Sequence, residues 1–97
     1  MTKRIPTHPG ALLREDVLPA LGMSVTAVAS ALGVSRQMLH RILSEKSPVT
    51  PEMALRLGKF CGGGPGVWMR MQTNHDIARA TIKMAKIVRR IPTPRAA

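Results

Sequence analysis

Apolar residues along this chain recur mostly at three- and four-residue intervals, the spacing of helices with one buried face. His8-Pro9-Gly10 leads into a first helix of about eight residues, with Leu12, Leu13 and Val17 inward, Arg14, Glu15 and Asp16 in water, and Pro19 and Gly22 ending it. Val25, Val28, Ala29 and Leu32 then form one stripe of a second helix, with Ser24 as its N-cap. Gly33 suits a chain that must leave a helix with positive φ, and Val34 can plug the turn. Ser35 caps a third helix in which Met38, Leu39, Ile42 and Leu43 share the apolar side, and Arg36, Gln37, His40, Arg41 and Ser44 share the other. Thr50-Pro51-Glu52 starts a fourth helix, burying Met53 or Ala54, Leu57, Gly58 and Cys61 and leaving Arg56 and Lys59 outside. Gly62-Gly63-Gly64 breaks the chain, and a fifth helix is expected from about Val67 to Arg90, unbroken by Pro or Gly, anchored to the core by Trp68 and Met71.

The pair of short helices from Ser24 to Leu43 is the element with chemistry. The Ala29-x3-Gly33-x5-Leu39-x2-Ile42 spacing and the paired serine caps predict a helix-turn-helix whose second helix enters the major groove. Arginine donates twice to guanine O6 and N7, and glutamine pairs with adenine N6 and N7, each good pair contributing about 1–3 kcal/mol of discrimination. Arg36, Gln37, His40 and Arg41 are therefore the candidate base readers. Ser24, Thr26, Ser35, Ser44, Lys46 and Ser47 are placed to bind phosphates, which fixes position without reading sequence. The plainer alternative is a solvated polar face on an ordinary helical hairpin.

Composition sharpens this picture. The 97 residues make one small domain with tails: an arm at 1–7, a DNA-binding body at 8–80, and a basic helical extension and tail at 81–97. Phe60 and Trp68 are the only aromatics, so the core is built from Leu, Val, Ile, Met and Ala, which favours packed helices. Net charge is +10, from 15 Lys and Arg against five acids, which calls for a polyanionic partner. Residues 61–97 alone carry seven of those bases and one acid.

In the second half of the long helix Ile77, Ala80, Met84, Ile87, Val88 and Ile91 lie on one side, and Arg79, Lys83, Lys86 and Arg90 on the other. Three arrangements fit: packing on its own domain, a subunit contact through Ile77, Met84, Ile87 and Val88, or a basic helix on phosphates or an anionic membrane. The first two combined are preferred, because so small a domain cannot cover so long a stripe alone.

Cys61 reads as a small buried hydrophobe, His8 as a capping or loop residue and His75 as a helix-surface residue. His8, His40, His75 and Cys61 lack metal-ligand spacing, and no catalytic constellation is visible, so no metal, cofactor or enzymatic activity is expected. No apolar h-region follows Lys3 and Arg4 and no run reaches membrane-spanning length, so a cytoplasmic protein without a membrane partner is expected.

Several segments together resemble one family. His8-Pro9-Gly10-Ala-Leu-Leu-Arg-Glu-Asp-Val-Leu-Pro19, Leu21-Gly22-Met-Ser24, Leu32-Gly-Val-Ser-Arg-Gln37 and Val49-Thr-Pro-Glu-Met-Ala-Leu-Arg-Leu57 are similar to the HigA antitoxins. These are also described as VapI-like or addiction-module antidote proteins, of the cro/phage-repressor helix-turn-helix group. The resemblance covers about residues 6–78. It implies an all-α, five-helix, lambda-repressor-like homodimer that binds a palindromic operator, represses its own operon and neutralises a RelE-like, mRNA-cleaving HigB toxin. It places Ser35, Arg36, Gln37, His40 and Arg41 in the recognition helix. Three positions depart from the family pattern. Ala11 replaces a Glu; Ser44-Glu45-Lys46 replaces an Asn-Gly loop with a base; and Gly64-Pro65-Gly66-Val67-Trp68 is a weaker helix start. The basic extension after Ala80 lies outside the resemblance. A stand-alone regulator without a toxin, and an interaction or membrane-surface module using the basic helix, are the alternatives.

Overall fold

The structure, a computed structural model, describes residues 4–95. The expected arm and tail therefore fall partly outside the described residues. Among those described there are only helices: α1 (Pro9–Leu21), α2 (Val25–Leu32), α3 (Arg36–Leu43), α4 (Pro51–Cys61), α5 (Gly66–Lys83) and a short α6 (Ala85–Arg89). The five-helix body with a helix-turn-helix is thus as expected, with α6 continuing from α5.

Local chemistry sets most of the boundaries. The side chains of Ser24, Ser35 and Thr50 accept from the backbone N–H groups of Ala27, Met38 and Met53 at 3.1, 3.0 and 3.2 Å, closing the first turns of α2, α3 and α4. Gly22 and Gly33 end α1 and α2 with φ of 64° and 74°, in the left-handed region. Glu45 is the one non-glycine residue with positive φ among those described, at 63°, and occupies the position where the resembled family carries glycine.

The first helix is longer than expected, because Pro19 does not end it. Its middle, Leu13–Val17, is a wider π-helical turn closed by the Leu18 N–H on the Leu13 carbonyl. The wider turn lets Pro19 follow without an amide and without its ring meeting the preceding turn.

The core centres on Leu13, Val28, Leu39, Ile42, Val49 and Leu57, all essentially inaccessible, with Trp68 anchoring α5. Burying each such aliphatic side chain contributes about 1.5–3 kcal/mol. Ala29 is buried where α2 and α3 pack, as its size allows. Gly10 and Gly58 are needed for close approach. A Cβ on Gly10 would overlap the Ile42 carbonyl, and one on Gly58 would overlap the backbone of Gly64.

Five expectations are corrected. Cys61 is exposed, because α4 ends there and the Gly62–Gly64 return passes over Gly58 instead. Met38 is 44% exposed, lying on the flank of the α3 apolar ridge rather than within it. His75 is buried: its Nδ1 lies 2.7 Å from the Pro6 carbonyl, to which it donates, and its ring meets His8 edge to face at 5.0 Å. The long C-terminal helix is interrupted at Met84, whose φ of −99° and ψ of 5° close α5 before α6 begins. Upstream, Thr81 Oγ1 donates to the Ile77 carbonyl at 2.7 Å, a back-bond that competes with regular helix hydrogen bonding. The expectation that the second half of this helix packs on its own domain also fails. Among the described residues His75 is the last that is buried, and Ile77, Met84, Ile87 and Val88 are all exposed.

Candidate nucleic-acid interface

Successive residues of a helix turn by about 100°. On α3 the buried residues Leu39, Ile42 and Leu43 therefore define one side, and Gln37 and Arg41 point straight away from it. Arg36 and His40 lie on one flank of that outward face and Met38 on the other. All five are exposed. The sequence-predicted base readers are thus brought together on one ridge in the first two turns of α3.

The phosphate candidates surround that ridge. Ser24 and Ser35 each use an oxygen lone pair for capping and keep a hydroxyl hydrogen to donate. Thr26 is exposed in the first turn of α2. Ser47 Oγ accepts from Arg41 Nε at 2.9 Å, which ties the middle of the ridge to the loop after α3 and leaves the Arg41 terminal amino groups outward. Ser44 donates to the Arg41 carbonyl at 3.2 Å, so it must release that bond to reach a phosphate. Lys46 is exposed beside them, its amide bonded to the Arg41 carbonyl at 2.9 Å.

Two arginines that the sequence pattern left on the surface hold this unit together. Arg56, from α4, donates to the Leu32 and Gly33 carbonyls at 2.7 and 3.4 Å, closing the C-terminal end of α2. Arg14, from α1, donates to the Leu43 carbonyl at 2.6 Å and to Glu45 at 3.3 Å, closing the end of α3. Both satisfy carbonyls that a helix leaves open, with a charge that favours the negative end of its dipole. Their partners are 24 and 29 residues away, so no local signal announces them.

Behind α3, His8 caps α1 by accepting the Gly10 N–H on Nδ1 at 2.9 Å, as the capping reading expected. Burial and the neighbouring His75 push the His8 pKa below its ordinary value. Gln72 accepts the Val49 amide at 2.7 Å and donates to Asp76 at 3.0 Å, fixing the loop that leads out of the reading helix to α5.

This arrangement is a helix-turn-helix DNA-binding domain, and the comparisons agree. A helix-turn-helix family model matches residues 13–68. "Virulence-associated protein I" of Dichelobacter nodosus is 41% identical over 73 residues, 75% of this chain and 68% of that protein. The structure of antitoxin GraA in complex with its operator has a TM-score of 0.88 at 33% identity, covering 99% of this chain and 98% of that one. The Pseudomonas aeruginosa antitoxin HigA with higBA promoter has a TM-score of 0.86 at 31% identity, covering 94% and 99%. The chain belongs to the helix-turn-helix family, and its likeness within that family runs to the VapI-, HigA- and GraA-type proteins.

Proposed function

We propose that this protein is a sequence-specific repressor and the antitoxin of a HigBA-type pair, binding a palindromic operator upstream of its own gene as a homodimer and working in the cytoplasm where that DNA lies. The observation that carries the reading is the exposed α3 ridge of Arg36, Gln37, His40 and Arg41, set on a fully buried opposite side. In this reading these four side chains read bases, while Ser24, Thr26, Ser35, Ser44, Lys46 and Ser47 grip phosphates. Two copies joined through Ile77, Met84, Ile87 and Val88 would set their reading helices about 34 Å apart, one turn of DNA. The exposure of those four apolar residues supports such a contact.

The test is fluorescence anisotropy with duplex DNA from immediately upstream of the gene against a scrambled duplex. Preference for the upstream DNA, lost in Arg36→Ala with Arg41→Ala, is the expected result. Lys46→Ala should weaken both duplexes alike and reduce the slope of log K against log salt by about 0.9. Equal losses on both duplexes for both variants would overturn the division into base readers and phosphate binders.

Neutralisation of a RelE-like toxin is the finer part of the proposal. Such toxins are themselves basic, and a chain of net charge +10 gains nothing from long-range attraction to one. The toxin contact is therefore apolar and local. That same charge favours a second reading, a stand-alone regulator with no toxin. Co-purification with the product of a neighbouring small basic reading frame separates the two.

A further inference from the structure

Met38 is the residue of the reading helix that neither the base readers nor the core accounts for. It follows Gln37 directly, stands one turn before Arg41, and is nearly half-exposed although it is long and apolar. Its flank faces the loop after α3, where it shares a recess with Pro48. Met38 thus lies between the outward ridge and the loop segment placed on the phosphates, inside the area that DNA would cover. The recess measures about 220 Å³, and its other apolar walls are Val34, Ile42 and Met53. Met38 lines this recess, and Thr50, Glu52 and Arg56 complete its rim.

We infer that Met38 is a further specificity-determining residue, contacting the C5-methyl group of a thymine in each half-site. This rests on the DNA-reading function proposed above. The physical reason is selective. The thymine methyl is the one apolar group that a base pair presents on the floor of the major groove. An exposed, unbranched and polarisable side chain with an apolar recess behind it can move to meet that methyl without strain. Arg36, Gln37 and Arg41 recognise donors and acceptors and are blind to it.

The experiment replaces each thymine of the upstream duplex, one at a time, by deoxyuridine, which removes only the methyl. Binding is measured for the wild type, Met38→Ala and Met38→Gln. In the wild type one substitution per half-site should weaken binding by about three- to tenfold, the scale of one buried methyl group. In both variants that same substitution should cost nothing, while losses at other thymines are unchanged. Because Met38 is uncharged, the salt slope should not move. Met38→Gln keeps the length and helix preference of the residue, so it serves if Met38→Ala melts early. Preference for the upstream DNA with every deoxyuridine costing the same in wild type and variants would overturn this inference and leave the repressor reading standing. No preference for the upstream DNA in the wild type would overturn both.

Discussion

The helix-turn-helix body and the C-terminal arm are built on opposite principles. From His8 to His75 nearly every apolar ridge is covered, each short helix from α2 to α4 has a side-chain N-cap, and distant arginines close the ends of α2 and α3. From Asp76 onward no described residue is buried; six of the described bases and a row of isoleucines, valine and methionine stand in water. The molecule is correspondingly elongated, 54 × 31 × 23 Å, with a radius of gyration of 16.6 Å. A compact domain of this length would have a radius near 13 Å. The body closes on itself and presents its reading ridge from packed helices; the arm leaves its apolar stripe uncovered.

The sharpest way to break that contrast is to attack the body where it is fully closed. Leu39 has no exposed surface and lies directly behind the reading ridge. Leu39→Ala should lower stability by about 2–5 kcal/mol, read by urea unfolding, and remove DNA binding with it. An effect no larger than that of a surface substitution would mean that α3 is not held by its buried side.

Removing a clamp should cost less. Arg56→Ala leaves the Leu32 and Gly33 carbonyls to water and should cost about 1.5–3 kcal/mol, the range for hydrogen bonds to charged groups. Arg56→Lys should recover only part of it, since a single ammonium lacks the guanidinium fork. Full recovery by lysine would show that charge near the helix end, rather than the bonds, is what matters.

Acid should weaken the body further along the same seam. The folded-state pKa of His8 lies below its ordinary 6.5, so the folded protein binds fewer protons there than the unfolded chain. Stability from this group is complete above pH 6.5 and is lost as pH falls through that value toward the folded pKa. Protonated Nδ1 can no longer accept the Gly10 amide, and α1 loses its cap. His8→Asn keeps a capping oxygen without titrating, so thermal melts should lose this acid dependence in the variant. An unchanged profile would assign the loss to other groups.

The arm should respond least as a fold and most as an assembly. Ile87→Asp with Val88→Asp touches nothing buried, so the unfolding free energy at high dilution should shift by no more than about 0.5 kcal/mol. Its dependence on protein concentration should vanish, because the proposed dimer contact is gone. A large loss at dilutions where only monomer is present would place the arm within the body after all.

Much of the body was open to reading in the sequence because its signals are local. Caps at Ser24, Ser35 and Thr50 and left-handed exits at Gly22 and Gly33 require no knowledge of distant residues. The apolar spacing that divides α3 into Leu39, Ile42 and Leu43 against Gln37 and Arg41 is likewise a property of a few neighbouring positions. These residues determined the reading unit and the ridge it offers.

Tertiary structure decided what periodicity cannot express. Met38 sits at the edge of an apolar ridge, and only the placement of α4 and the loop before it determines that it stays outside. Cys61 follows the spacing of a buried position, yet the glycine-rich return covers Gly58 and not Cys61. His75 looks like a surface residue on a polar helix, and is buried because the chain near Pro6 and His8 crosses it from the other end of the sequence. Pro19 reads as a stop, and a π turn one residue wider than the usual α turn carries the helix past it. In each case the deciding neighbour or turn geometry is absent from the local pattern. Burial depends on which surfaces meet across the chain, whereas capping and helix spacing depend only on residues within a turn or two.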